Sequence, residues 1–116
     1  MELKMTLKKE SVKNIEFLID VCRKLQNVEE IGIEVKLYQS YTKTFIWLMN
    51  RDQDVDTLAP ITLTEMSDHF LGTAIQLEDL QEKDQKFTSL FKLAEKSHDI
   101  IEKYMWAQRM HGVKAA

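Results

Sequence analysis

Between Met66 and Met105 the heptad-spaced positions are mostly apolar, and no proline interrupts them. One set is Met66, Thr73, Leu80, Phe87, Ala94 and Ile101. The other, four residues out of phase, is Phe70, Leu77, Asp84, Phe91, His98 and Met105. A seam of this period marks helices that bury one stripe against another helix. With only three Gly and one Pro in 116 residues, long helices are favoured over a loop-rich or all-β fold. The length suits one domain over residues 1–116, with a core that needs no covalent staples.

Charge is distributed unevenly. Residues 1–51 hold nine bases and seven acids, and residues 83–116 hold seven bases and four acids. From Asp52 to Glu82 there are eight acids and no Lys or Arg. The three segments therefore stand at +2, −8 and +3. Such a field favours basic partners and repels phosphate backbones, although flanking basic helices can also neutralise a solvated acidic face. The single cysteine, Cys22, has no disulfide partner within the chain. The opening MELKMTLKKE has no apolar core of signal-peptide length, and the run Phe45–Met49 is too short to cross a bilayer. These features set the expectation of a cytoplasmic protein with no membrane partner.

The first helix is expected over residues 7–26, with Val12, Ile15, Leu18, Ile19, Cys22 and Leu25 on one stripe. Asn27 and Gly32 bracket a break. Residues 31–49 read two ways. Ile31, Ile33, Val35 and Leu37 alternate as in a strand, whereas Ile31, Val35, Tyr38, Thr42, Phe45 and Met49 form a helical stripe. A hairpin would need a turn at Gln39–Thr42, which holds no Gly, Asn or Asp, so helix is preferred. A loop follows over 50–60. Thr62 and Glu65 have capping-box spacing, and Ile61 with Met66 has that of a hydrophobic staple. Leu63, Met66, Phe70, Ala74, Leu77 and Leu80 are then expected to face inward, with Gly72 either marking a close helix approach or merely tolerated.

Glu82–Lys86 separates this helix from a last one over 87–110. Either Asp84 caps a new helix and four helices form a bundle, or one long helix runs from Leu63 to Met110 and pairs with a second copy. Gly112 is expected to end the last helix, leaving the final residues frayed. The fold expected is all-α, a four-helix bundle or one completed by dimerisation; the alternative is α+β with residues 31–49 as a β-hairpin.

Metal ligation is the sharpest chemical possibility. Glu95 and His98 form Glu-x-x-His, Glu102 follows one turn on, and Glu65 and His69 are four apart on the preceding helix. Residues three or four apart project together, so two facing helices could offer His and carboxylates to one ion. The Glu95–His98 pair resembles half of the di-iron carboxylate signature of ferritin-like bundles. That signature needs a second copy, and His69 is preceded at three by Met66 instead. Asp52, Asp54 and Asp56 have the spacing of the first ligands of a calcium loop. Thr57 and Leu63 then stand where that loop needs Gly and Glu, so a solvated acidic loop is expected.

No Gly-rich phosphate cradle or exposed nucleophile turn is present, and Cys22 lies on an apolar stripe. An enzyme is not expected, and no cofactor is called for. Lys4, Lys8, Lys9 and Lys13 make a basic start, but a pI of about 5.6 argues against direct nucleic-acid binding. A partner surface fits better. Trp47, Tyr104, Trp106 and Arg109 are types enriched at interface centres, and Glu78, Asp79 and Glu82 would steer a basic protein. The leading expectation is a non-catalytic interaction module: an adaptor, regulator or small inhibitor, homodimeric, in its narrowest form a phage-type acidic inhibitor of a nucleic-acid-binding protein. The alternative is a metal-binding bundle using His98, Glu95, Glu102, His69 and Glu65.

Overall fold

The computed structural model describes the backbone of residues 7–115 and the side chains of residues 7–110. Lys4 and the side chains of His111 and Lys114 lie outside them. The fold is an all-α four-helix bundle with no strand among the described residues: α1 (Lys9–Leu25), α2 (Glu34–Asn50), α3 (Pro60–Lys83) and α4 (Thr88–Ala115). Helices α1 and α2 form one hairpin, α3 and α4 another, and α1 also packs on α4. The molecule measures 55 × 32 × 22 Å, and among the described residues no helix is long and apolar enough to cross a membrane.

The ambiguous stretch is helical because its large side chains recur at helical spacing. Tyr38, Tyr41, Thr42, Phe45 and Leu48 are buried on one stripe of α2. Ile33, which a strand would place with Ile31, is instead 81% exposed while Ile31 is 3%. The hairpin alternative is thereby excluded. Gly32 makes the turn before α2 at φ +63°, a conformation that a side chain would strain.

The seam at Met66–Met105 closes within one chain. Asp84 adopts φ −150°, ψ 113°, and its carboxylate accepts the Lys86 N–H at 3.0 Å. A single 3-10 turn at Gln85–Phe87 follows before α4 begins. The continuous helix from Leu63 to Met110 is therefore replaced by a hairpin, because Asp84 answers a backbone donor that a helix start would otherwise leave unpaired. Asp84 itself is exposed, whereas Met66, Phe70, Thr73, Leu77, Phe87, Ala94 and Ile101 are buried between the helices.

Three local expectations need correction, and the open choice at Gly72 is decided. Helix α3 starts at Pro60, with Ala59 as an extended cap that makes no side-chain hydrogen bond. Proline fits the first helical position, so Thr62 falls inside the first turn and the Thr62–Glu65 box does not form. Ile61 is 70% exposed and closes no staple over Met66. A Cβ on Gly72 would meet nothing within 4 Å, so Gly72 marks no close helix approach. Helix α4 runs through Gly112 to Ala115; glycine lowers helix propensity by only about 1 kcal/mol, and no proline follows to stop it.

The 51–59 connection is not simply a solvated acidic loop. Asp52 sits at φ +55°, in the left-handed region that Asp tolerates better than most residues, and its Oδ1 accepts the Leu7 N–H at 2.9 Å. Asp54 accepts from the Ser11 hydroxyl at 2.7 Å and from the Val55 N–H at 2.7 Å. From α4, Gln108 donates to the carbonyls of Asp56 (2.8 Å) and Leu58 (2.6 Å). Two of the calcium-loop look-alikes thus tie the connection to α1.

Candidate functional site

On α4, His98, Asp99 and Glu102 occupy positions i, i+1 and i+4, so the imidazole lies beside one carboxylate and one turn before the other. One donor atom from each lies within 4.8 Å of the others. The His98 side chain is only 16% exposed, held by the bundle, while those of Asp99 and Glu102 are 72% and 46% exposed. Nδ1 stands 3.6 Å from Asp99 and Nε2 stands 3.8 Å from Glu102. The two ring nitrogens thus face different carboxylates.

That arrangement resolves into roles. A cation held by one ring nitrogen and its carboxylate leaves the opposite N–H free to donate to the other carboxylate, which fixes tautomer and ring direction. The remaining coordination positions are open to water. The seated imidazole supplies preorganisation, and the two exposed carboxylates supply charge and adjustability.

The other residues singled out by sequence are dispersed. Glu95 is exposed one turn before His98 and does not join the cluster, and neither do Glu65 and His69 of α3. His69 Nδ1 is hydrogen-bonded to the Tyr41 hydroxyl of α2. Beside it the Tyr38 hydroxyl donates to the His69 carbonyl at 3.0 Å and pairs with the Thr73 hydroxyl at 2.6 Å. Tyr38 also packs on Phe70, with ring centroids 5.2 Å apart. This network clamps α2 to α3, and burial pushes both phenols above the usual tyrosine range. Burial likewise pushes the Cys22 thiol up to about 12, opposed by a hydrogen bond to Thr42. At neutral pH it stays protonated and inert.

Trp47 and Trp106 are 50% and 58% exposed. Arg51 lies over the first at 4.8 Å from its centroid and Arg109 over the second at 5.2 Å. Tyr104 is not displayed with them: it is half-buried, and its hydroxyl accepts from Asn14 at 3.3 Å. Glu78, Asp79 and Glu82 are exposed on α3. A cleft of about 850 Å³ lies between the start of α1, the 51–57 connection and α4, lined by apolar side chains and by charges of both signs. Sequence reasoning passed over Asp99, although its place directly after His98 and one turn before Glu102 was available. Comparison with protein-family models, curated proteins and solved structures finds no match for this chain.

Proposed function

We propose that the protein is a metal-binding helical bundle in which α4 holds one divalent transition-metal ion through His98 and Glu102, with Asp99 orienting the ring from its other nitrogen. The observation that carries this reading is the convergence of those three donors within 4.8 Å around a largely buried imidazole. Imidazole and carboxylate together suit zinc-like ions better than calcium, which takes oxygen ligands alone. Because the protein then offers two ligands, the ion keeps open positions, as in exchangeable rather than closed structural sites.

Protein without a histidine tag, titrated with Zn²⁺ by calorimetry and with Co²⁺ by visible absorption, should take up one ion. His98→Ala should abolish uptake, and Asp99→Asn should weaken it by about 10–100-fold if Asp99 orients the ring. Uptake by His98→Ala equal to that of the unaltered protein would end the reading.

A second reading is the interaction module, favoured by the exposure of Trp47 on α2 and Trp106 on α4. Each combines a large apolar face with an arginine already stacked on it, the composition of interface anchors. If the module is a homodimer built on these residues, tryptophan emission should shift to the blue as protein concentration rises. The shift should vanish in Trp47→Ala or Trp106→Ala.

A further inference from the structure

Helix α3 turns Leu63, Met66, Phe70, Ala74 and Leu77 inward and leaves an opposite stripe in solvent. That stripe carries Leu71 and Ile75, 45% and 57% exposed and four residues apart, so one side chain lies above the other. On the same face Asp68 precedes them and Glu78, Asp79 and Glu82 follow, all exposed. None of the four forms an ion pair with a Lys or Arg among the described residues, where such pairs are confined to Asp20–Lys24 and Asp84–Lys86. The helix has no base of its own before Lys83. The flanking helices do not neutralise this face by direct pairing. It joins an apolar centre to an unpaired carboxylate rim, the layout of a small interface rather than of a solvated surface.

The charge decides what can cover it. In an antiparallel pairing of two α3 helices over Leu71 and Ile75, Asp68 of one copy would oppose Glu78 of the other. A parallel pairing would set each acid beside its own counterpart. Both juxtapose like charges at close range, which is destabilising. Phosphate backbones and anionic headgroups are repelled for the same reason. The complement is an element that carries Lys or Arg around an apolar stripe.

We propose that the outer face of α3, from Asp68 to Glu82, docks a basic amphipathic helix of another protein. Apolar residues of the partner pack over Leu71 and Ile75, and its Lys or Arg side chains pair with Asp68, Glu78, Asp79 and Glu82. The face extends for about 21 Å, which matches about four turns of a partner helix. This surface lies on a different helix from the His98 cluster, and its occupancy is independent of metal.

The probe is a labelled synthetic four-turn helix with leucines on one stripe and lysines on its flanks, read by fluorescence anisotropy. A scrambled peptide of the same composition is the control. The full chain should bind the amphipathic peptide at least about tenfold more tightly than the scrambled one. Leu71→Ser/Ile75→Ser should remove that preference. Glu78→Lys/Asp79→Lys/Glu82→Lys should weaken binding about tenfold or more, and added salt should no longer weaken it further. Because all these positions are exposed, circular dichroism should stay unchanged, and His98→Ala should bind the peptide as the unaltered chain does. Equal affinity for both peptides would reduce the surface to unspecific attraction and overturn the proposal. So would a concentration-dependent dimer that Leu71→Ser/Ile75→Ser dissolves, because a second copy would then be the occupant.

Discussion

His69 and His98 stand on neighbouring helices, neither fully buried and each close in sequence to carboxylates, yet the fold treats them in opposite ways. His69 is taken up by α2: its ring nitrogen is paired with Tyr41 and its carbonyl with Tyr38. The charged groups that face the His98 ring among the described residues are Asp99 and Glu102 of its own helix. A polar group answered from a second helix helps fix how the two helices pack. A polar group answered only by partly exposed side chains of its own turn can exchange those partners for an ion. The difference lies in what each helix meets, not in the local sequence.

The largest effect that should separate the two regions is alkaline. Cys22, Tyr38 and Tyr41 belong to the α1–α2–α3 interior, and burial raises all three. Each is neutral when protonated, so a folded value above the unfolded one means that the folded state holds its proton more tightly. The stabilisation is fully present below the unfolded value, 9.0 for Cys22, and is lost as pH rises towards about 12. Cys22 alone should lower the unfolding free energy by up to about 1.4 kcal/mol per pH unit in that window. Urea midpoints measured from pH 8 to pH 10.5 should fall, and Cys22→Ala should flatten the early part of the fall. A decline in Cys22→Ala as steep as in the parent would show that the thiol is not its source.

Next in size is Tyr38→Phe. It removes the hydroxyl that bonds the His69 carbonyl and Thr73 while keeping the ring against Phe70, so the carbonyl and Thr73 lose a buried partner. A loss of about 1–3 kcal/mol is expected from denaturant titration. An unchanged midpoint would break the view that this network holds α2 to α3.

These consequences were partly legible in sequence. The helical stripes of α1, α3 and α4 were, because apolar residues at helical spacing leave few other folds. Helix α2 was too, since no turn residue was available for a hairpin. Asp84 was legible only as a choice between cap and seam: its geometry depends on whether the following residues can pack back on the same chain. Thr62 and Glu65 misled because proline two residues earlier is itself a good start, and a spacing rule cannot weigh the two. The partners of His69 and of Asp52 lie 28 and 45 residues away, beyond any local pattern. Leu71 and Ile75 were illegible for another reason: whether an apolar residue beside a filled stripe is covered depends on the neighbouring helix.

Gly72 offers a smaller effect of opposite sign. A methyl group there meets nothing, so Gly72→Ala should stabilise the protein by about 1 kcal/mol through helix propensity. Thermal melting checks this. A destabilised variant would mean that α3 is approached at Gly72 by something other than this chain.

The sharpest test for the comparison is His98→Ala with and without metal. Its two carboxylate partners lie beyond hydrogen-bond distance and are partly exposed, so losing those pairs should cost less than about 1 kcal/mol, and any larger loss in the metal-free variant reports the packing of a ring that is only 16% exposed. With Zn²⁺ added, the unaltered protein should melt higher, its stability rising with the logarithm of ion concentration above the dissociation constant, because an ion that binds only the folded state stabilises it by mass action. His98→Ala should show no such rise, whereas His69→Ala, already destabilised, should keep it. If zinc instead raised the melting point of His98→Ala as much as that of its parent, the ion would be held elsewhere. The open site would then be no more available than the closed one.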